Sequence, residues 1–428
     1  MHNLYEKFLS GSGVCTDSRN VSQGSIYFAL KGASFDGNKF AEEALQKGAS
    51  FAVIDNPEYQ SSDRMLLVDD ALVALQQLAT YHRQQLKTLV VAITGSNGKT
   101  TTKELMSAVL SESFQVVATH GNLNNHIGVP LTLLAIKPET DIAIVEMGAN
   151  HPGEIALLCE IAQPDYGYIT SIGKAHLEGF GGLEGVMKTK SELYDYLKKH
   201  QKTIIYNADD VLQTELLSGY SNVYTFGSGQ GVNVPMAYKQ ASVATLFFGE
   251  GAERELITSN LTGSYNNANI AAAVALGRFF KLAPQTIRRG IEKYVPANNR
   301  SQIVRKGSNT LLLDAYNANP SSMAAAIQNM VSTPDFQKKV LVLGDMFELG
   351  DYADAEHQAV VNLVEKHLWE AVFLIGENFA KTKHKYAVFP SFEAFKDVFD
   401  SSVFADCLFL IKGSRGMALE RVLPLFEG

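Results

Sequence analysis

Residues 94–101, Thr94-Gly95-Ser96-Asn97-Gly98-Lys99-Thr100-Thr101, bring two glycines, a lysine and a run of hydroxyls into one short turn. The chemistry this composition suits is phosphate binding. Glycines let the backbone approach an oxyanion, N–H groups at a helix start point toward it, Lys99 adds a mobile positive charge and Thr100 offers a hydroxyl to Mg²⁺. Residues 89–93 form an apolar run suited to a buried parallel strand, and residues 101–110 have helix-forming composition. Strand, loop and helix therefore come in the order that a nucleotide cradle needs, and ATP is the expected ligand. The general pattern places a glycine five residues before Gly98, but Ile93 stands there and the glycine comes later, at Gly95. The loop is a shortened variant, which narrows the expectation to a subset of ATP users.

Open parallel sheets place ligands outside the carboxyl ends of their strands, so polar residues directly after apolar runs gain weight. Glu146 ends the run 142–145, and beside a phosphate loop it is a candidate Mg²⁺ ligand. In isolation, such a glutamate would serve a structural role equally well. His176 follows the run around Ile169; a lone histidine is more often a surface or core residue than a ligand. Lys190 reads as an exposed helix lysine. Residues 119–130 pack amides and glycines, Asn122 and Asn125 among them, into a loop too polar for a core. Such a loop suits a phosphorylated or sugar ligand, although turn chemistry alone also selects Asn and Gly.

The elements that must position these residues follow from periodicity. Short strands at 25–30, 50–54 and 65–68 alternate with helical patterns, and a helix at 71–86 leads to the phosphate-loop strand. Further strands at 116–118, 142–147, 166–169 and 203–206 fit a parallel sheet with helices on its faces. Residues 221–261 turn to short alternations separated by glycine, which predicts an antiparallel appendage, and a helix at 266–280 closes that unit. Beyond a linker at 296–301, strands at 311–314, 340–343, 371–375 and 407–411 alternate with helices as in a second doubly wound unit. The expected architecture is α/β in three domains: 1–87 small and α/β, 88–297 a central P-loop parallel sheet, and 298–428 Rossmann-like.

Composition narrows the function classes. With 428 residues, 46% of them hydrophobic and 19% charged, the chain is expected to be globular rather than disordered. A net charge of −8 argues against nucleic-acid binding, which needs a basic face to displace counterions. Cys15, Cys159 and Cys407 are widely spaced and in no metal-like pair, which predicts free thiols in a reducing compartment, the cytoplasm. No apolar run approaches the roughly 18 residues of a membrane span. A monomer is the default expectation.

Taken in order, the segments 95–101, 122–130, Glu146-Met147-Gly148-Ala149, His176-Leu177-Glu178-Gly179, Lys190-Ser191-Glu192, Tyr265-Asn266-Asn267-Ala268-Asn269, Asn299-Arg300, 314–320, Gly344-Asp345-Met346 and Lys412-Gly413-Ser414-Arg415 resemble the Mur ligase family. These are the ATP-dependent amide ligases that assemble the peptide of bacterial cell-wall precursors. Among its members, the resemblance favours the one that adds D-alanyl-D-alanine to a UDP-N-acetylmuramoyl tripeptide through an acyl phosphate. It implies that the N-terminal domain holds the UDP end, the central domain ATP and the C-terminal domain the incoming amine.

By the same resemblance, Gly95, Ser96, Asn97, Gly98, Lys99, Thr100 and Thr101 cradle the nucleotide, with Lys99 on its β- and γ-phosphates. Thr100 and Glu146 hold one Mg²⁺, and His176 helps hold a second, supported by a Lys190 carbamylated by CO₂. Asn266 and Asn269 face the adenine, and Arg300 and Asp314 reach the γ-phosphate and ribose. The catalytic set is then Lys99, His176, Lys190 and Arg300. Ser18, Arg19, Asn38, Asn122, Asn125, Asn317, Asn319 and Arg415 are the implied substrate contacts. Asn38 replaces a histidine often found there, and Leu313 stands where the family frequently has a first acid before Asp314. The rivals are the ligase adding the third amino acid, folylpolyglutamate synthase and, from a different class, a P-loop ATPase or nucleotide-dependent interaction module.

Overall fold

The computed structural model describes residues 1–426. Three main sheets follow one another along the chain, and a small two-stranded hairpin, Lys31–Gly32 with Phe35–Asp36, lies within the first unit. The first is parallel, with strands in the order Val14–Cys15, Ile26–Phe28, Phe51–Ile54 and Met65–Leu67. The helix Ala71–Gln85 starts where the Asp70 carboxylate accepts from Val73 N–H at 2.8 Å, a side-chain cap for an otherwise unpaired donor. Ala71, Ala74, Leu75, Leu78, Ala79 and His82 form its buried stripe at helical spacing. This helix also ties the first unit to the second. Arg83 Nη2 bonds Asp165 Oδ2 at 2.7 Å, and His82 Nε2 meets the Ile136 carbonyl at 2.8 Å.

The second sheet has nine strands. From one edge it runs Glu255–Thr262, Val243–Phe248, Val234–Lys239, Val223–Gly227, Thr203–Asn207, Tyr166–Ile169, Leu89–Thr94, Ile142–Glu146 and Val116–Ala118. The antiparallel appendage expected over 221–261 requires correction. Val223–Gly227 pairs in parallel with Thr203–Asn207, so the segment extends the main sheet, and antiparallel pairing begins only between Val234–Lys239 and Val243–Phe248. Glu255–Thr262 has one face against helix Pro284–Lys293 and alternates buried and exposed residues, as a half-solvated edge strand should. Leu89–Thr94 is apolar throughout because it lies between two parallel neighbours under helices. Chain order reverses around it, which makes the carboxyl end of this strand the crevice of the sheet.

The third sheet runs Gln302–Lys306, Asn309–Leu313, Cys407–Lys412, Lys338–Gly344, Ala371–Ile375 and Ala387–Phe389; the first pair is antiparallel and the rest are parallel. Asp314, Lys412 and Asp345 stand at the carboxyl ends of three of its strands. The three cysteines are free and buried, and among the described residues no helix is long and apolar enough to cross a membrane.

Candidate active site

The carboxyl ends of the second and third sheets open onto one cavity of about 840 Å³. On the central side lie Ser96–Thr101, Glu146 and His176, and on the C-terminal side Arg300, Asp314, Tyr316, Lys412 and Arg415. The phosphate loop has its shape because Gly95 and Gly98 take φ of +141° and +81°. A Cβ at Gly95 would press on Thr170 Oγ1, and one at Gly98 on Asn269 Oδ1. The helix Lys99–Leu110 begins directly after the loop, with no side-chain cap and no acid in its first turn. Its positive dipole end therefore faces the cavity, beside the Glu146 carboxylate. Lys99 Nζ folds back over the loop onto the Gly95 and Ser96 carbonyls at 2.6 and 3.3 Å. Burial lowers its pKa, the Glu146 charge opposes that shift, and the Arg300 charge adds to it.

Glu146 is buried. Its Oε1 accepts from Thr100 Oγ1 at 3.2 Å and from Asn124 Nδ2 at 2.8 Å, while Oε2 has no hydrogen-bond partner and lies 3.7 Å from Lys103 Nζ. A buried carboxylate oxygen left without a donor, next to a hydroxyl, is a hard-oxygen pair that fits Mg²⁺. Among the described residues, no three His, Cys, Asp or Glu side chains gather into a metal cage.

Lys190 corrects the exposed-lysine reading. On the helix Leu183–Lys199 it shares a stripe with Val186, Leu193 and Leu197, is 1% exposed, and has only the Ala149 carbonyl, at 3.4 Å, for a hydrogen-bond partner. Burial first, and then the Lys99 charge, push its pKa down to about 7. Helix geometry carried the missed signal: 186, 190, 193 and 197 are core spacing, so a lysine there is buried. Lys103 was missed for the same reason. Fully buried on the phosphate-loop helix, it donates to the Thr119 carbonyl at 2.5 Å and supports the loop that carries Asn124.

The cations cluster opposite. Tyr316 lies between two of them, with the Arg300 guanidinium 3.5 Å and that of Arg415 4.8 Å from its ring centroid. Arg300 Nε is buried without a partner. Asp314 Oδ2 pairs with Lys412 Nζ at 2.7 Å, and its Oδ1 accepts from Ser301 N–H at 3.2 Å. Asn319 caps the helix Pro320–Ser332 and donates from Nδ2 to Asn97 Oδ1 at 2.8 Å, joining the phosphate loop to the C-terminal side.

Family models match along nearly the whole chain: "Mur ligase family, catalytic domain" over residues 11–85, "Mur ligase middle domain" over 93–277, and "Mur ligase, glutamate ligase domain" over 299–415. The UDP-N-acetylmuramoyl-tripeptide–D-alanyl-D-alanine ligase of Bacillus subtilis is 37% identical over 96% of this chain and 92% of its own length. The chain belongs to the Mur ligase family. Two solved structures have the same architecture throughout. MurF from Acinetobacter baumannii superposes with a TM-score of 0.86 at 30% identity, covering 99% of this chain and 98% of that one. MurF ligase from Thermotoga maritima in complex with ADP gives 0.86 at 28% identity, with 98% of each chain covered.

In this Mur ligase the cavity brings together Ser96–Thr101, Asn122, Asn125, Glu146, His176, Asn266, Asn269, Arg300, Asp314, Asn317, Asn319 and Arg415. Asn266 and Asn269 are buried and bonded to each other at 2.8 Å; Asn269 Oδ1 also accepts from Thr102 Oγ1 at 3.0 Å. They hold the phosphate loop against the helix Asn266–Phe279. Asn125 caps the helix Gly128–Leu134 by accepting from Gly128 N–H at 2.9 Å, and Asn317 Oδ1 accepts from Ala318 N–H at 2.9 Å. Ser18, Arg19 and Asn38 do not line the cavity. Arg19 is engaged by Asp17 at 2.8 Å. Asn38 is 1% exposed, and its amide meets Asp36 Oδ1, Asp55 Oδ1 and Asp55 N–H at 2.7, 2.8 and 3.0 Å. Its work is to hold the turn that follows the Lys31–Asp36 hairpin.

Proposed function

We propose that this Mur ligase joins D-alanyl-D-alanine to the terminal carboxylate of a UDP-N-acetylmuramoyl tripeptide, with ATP cleaved to ADP and phosphate. The observation that carries this reading is the single cavity in which a phosphate loop with a buried acid faces a C-terminal cluster of arginines and lysine. In this reading residues 1–87 bind the UDP end, 88–297 hold ATP and 298–428 present the dipeptide amine. The free, buried cysteines fit a reducing compartment, the cytoplasm.

A carboxylate does not react with an amine at neutral pH, because oxide is a poor leaving group. In the activation step a carboxylate oxygen attacks the γ-phosphorus in line, the bond to the β-phosphate oxygen breaks, and ADP leaves. The loop N–H groups and Lys99 orient the β- and γ-phosphates, while Arg300 approaches from the opposite wall to stabilise charge on the transferring group. Thr100 and Glu146 would hold one Mg²⁺, and His176 with Lys190 would support a second, screening the charge between nucleophile and phosphate. The amine then attacks the activated carbonyl, loses a proton, and phosphate departs. Asn319 and the contacts around His176 keep the C-terminal side against the phosphate loop, which positions the amine and excludes water.

A carbamate on Lys190 is part of this reading. An amine must be neutral to attack CO₂, and a buried lysine with a pKa near 7 is neutral over a large part of the physiological range. Addition of CO₂ to the neutral amine, with release of a proton, would leave an anion beside Lys99.

The test is ADP release with each reactant supplied singly and together. Sustained release is expected only when tripeptide conjugate and dipeptide are both present. Steady release with neither one would establish the rival ATPase.

A further inference from the structure

Residues 170–178 touch both halves of the site. Toward the phosphate loop, Ser96 N–H bonds the Ser171 carbonyl at 2.8 Å, and Asn97 N–H bonds Ser171 Oγ at 3.1 Å. Toward the C-terminal domain, Lys174 N–H bonds Ser321 Oγ at 2.9 Å and Glu178 N–H bonds the Glu348 carbonyl at 3.3 Å. Beside that second set, His176 Nδ1 lies 2.5 Å from Glu348 Oε2, an ion-pair contact that does not have hydrogen-bond alignment.

Both partners occupy backbone conformations that side chains disfavour, with φ of 51° at His176 and 62° at Glu348. The loop that presents Glu348 is fixed from several directions. Met346 N–H bonds the buried His357 Nε2 at 3.0 Å, and Phe347 N–H bonds Ser414 Oγ at 2.8 Å. Asp345 accepts from the Asn378 and Phe379 N–H groups at 2.9 and 3.0 Å. Yet the Glu348 side chain is 54% exposed, so its ion pair adds little to folding stability. Strain kept on a rigid loop for a pair of small structural worth belongs to function rather than to the core.

We propose that Glu348 is a positioning residue that grips His176 when the C-terminal domain closes, so that the imidazole beside the phosphate loop is oriented only once the amine-bearing domain is in place. This rests on the ligase reading above. It makes Glu348 one link, beside the Asn319–Asn97 and Lys174–Ser321 contacts, through which closure and the organisation of the central site depend on each other, a reciprocal coupling between two binding sites.

The test compares Glu348→Ala and Glu348→Gln with the unaltered enzyme. The alanine variant is expected to raise the KM for D-alanyl-D-alanine about fivefold, at the low end of such couplings because the pair is half exposed. With a non-hydrolysable ATP analogue and dipeptide added, the parent is expected to compact in small-angle scattering and the alanine variant to compact less, while its unfolding midpoint stays within about 2 °C of the parent. Glutamine, which keeps an oxygen and the side-chain length beside the imidazole, is expected to restore most of both. The proposal is overturned if the alanine variant keeps parental KM and compaction, or if the losses of both variants track an equal fall in unfolding midpoint. Failure of the ligase reading itself would be distinguishable, because the unaltered enzyme would then make no pentapeptide product.

Discussion

Lys190 is where the physics of a single residue departs furthest from its surface chemistry. A lysine that makes no ion pair among the described residues, sealed between a carbonyl and an aromatic ring 5.2 Å away, is disfavoured as a cation, and its pKa falls to about 7. Proton release from this group is therefore complete well above pH 7 and suppressed below it. The carbamate is expected to form as pH rises through about 7. Incubation with ¹³C-bicarbonate should give a carbamate carbon resonance at pH 8 that fades toward pH 6 and is absent in Lys190→Ala. That variant should lose ligation and recover part of it with added short carboxylates; no labelled carbamate in an active enzyme would remove Lys190 from this role. The sequence showed the phosphate loop plainly, because two glycines, a lysine and a threonine at fixed spacing have few other uses. It hid Lys190 and Lys103 under residue type, whereas their helical spacing placed them in the core. Asn38 likewise gave no local signal that it bonds Asp36 and Asp55 and holds the turn of the first domain.

Elements position the site by sharing atoms across it. The helix Pro320–Ser332 begins with Asn319, whose oxygen accepts from Ser322 N–H at 2.9 Å while its nitrogen reaches Asn97 in the phosphate loop. One side chain thus serves as cap and as bridge, and substitutions can separate the two. Asn319→Ala should lower unfolding free energy by about 1 kcal/mol, the usual worth of a cap, and raise the KM for ATP. Asn319→Asp retains a good cap but cannot donate to Asn97, so urea unfolding should remain near the parent while the KM for ATP still rises. Equal stability loss in both would contradict the division. Apolar runs at the strands Leu89–Thr94, Ile142–Glu146 and Ala371–Ile375 made most of the architecture legible, since strands buried on both faces leave a continuous signal. The edge of the central sheet was harder. Residues 223–262 alternate like a free antiparallel unit, and only the parallel pairing of Val223–Gly227, a long-range choice, joins them to the main sheet.

At the scale of the molecule, two sheets direct their carboxyl ends at one cavity, and the first sheet is tied to them through the helix Ala71–Gln85. Under the proposed reading, such an arrangement separates reactants among domains and makes reaction depend on their meeting. Sequence order could announce three α/β units; the meeting of Glu348 with His176, and of Asn319 with Asn97, involves residues 172 and 222 positions apart, with no local pattern to reveal it. The central claim is that ATP energy passes into the peptide bond through an acyl phosphate. Its most direct measurement uses a UDP-muramoyl tripeptide with ¹⁸O in its terminal carboxylate and follows the label by mass spectrometry. One ¹⁸O should appear in the phosphate released for each pentapeptide formed. Pentapeptide formed alongside unlabelled phosphate would contradict that route.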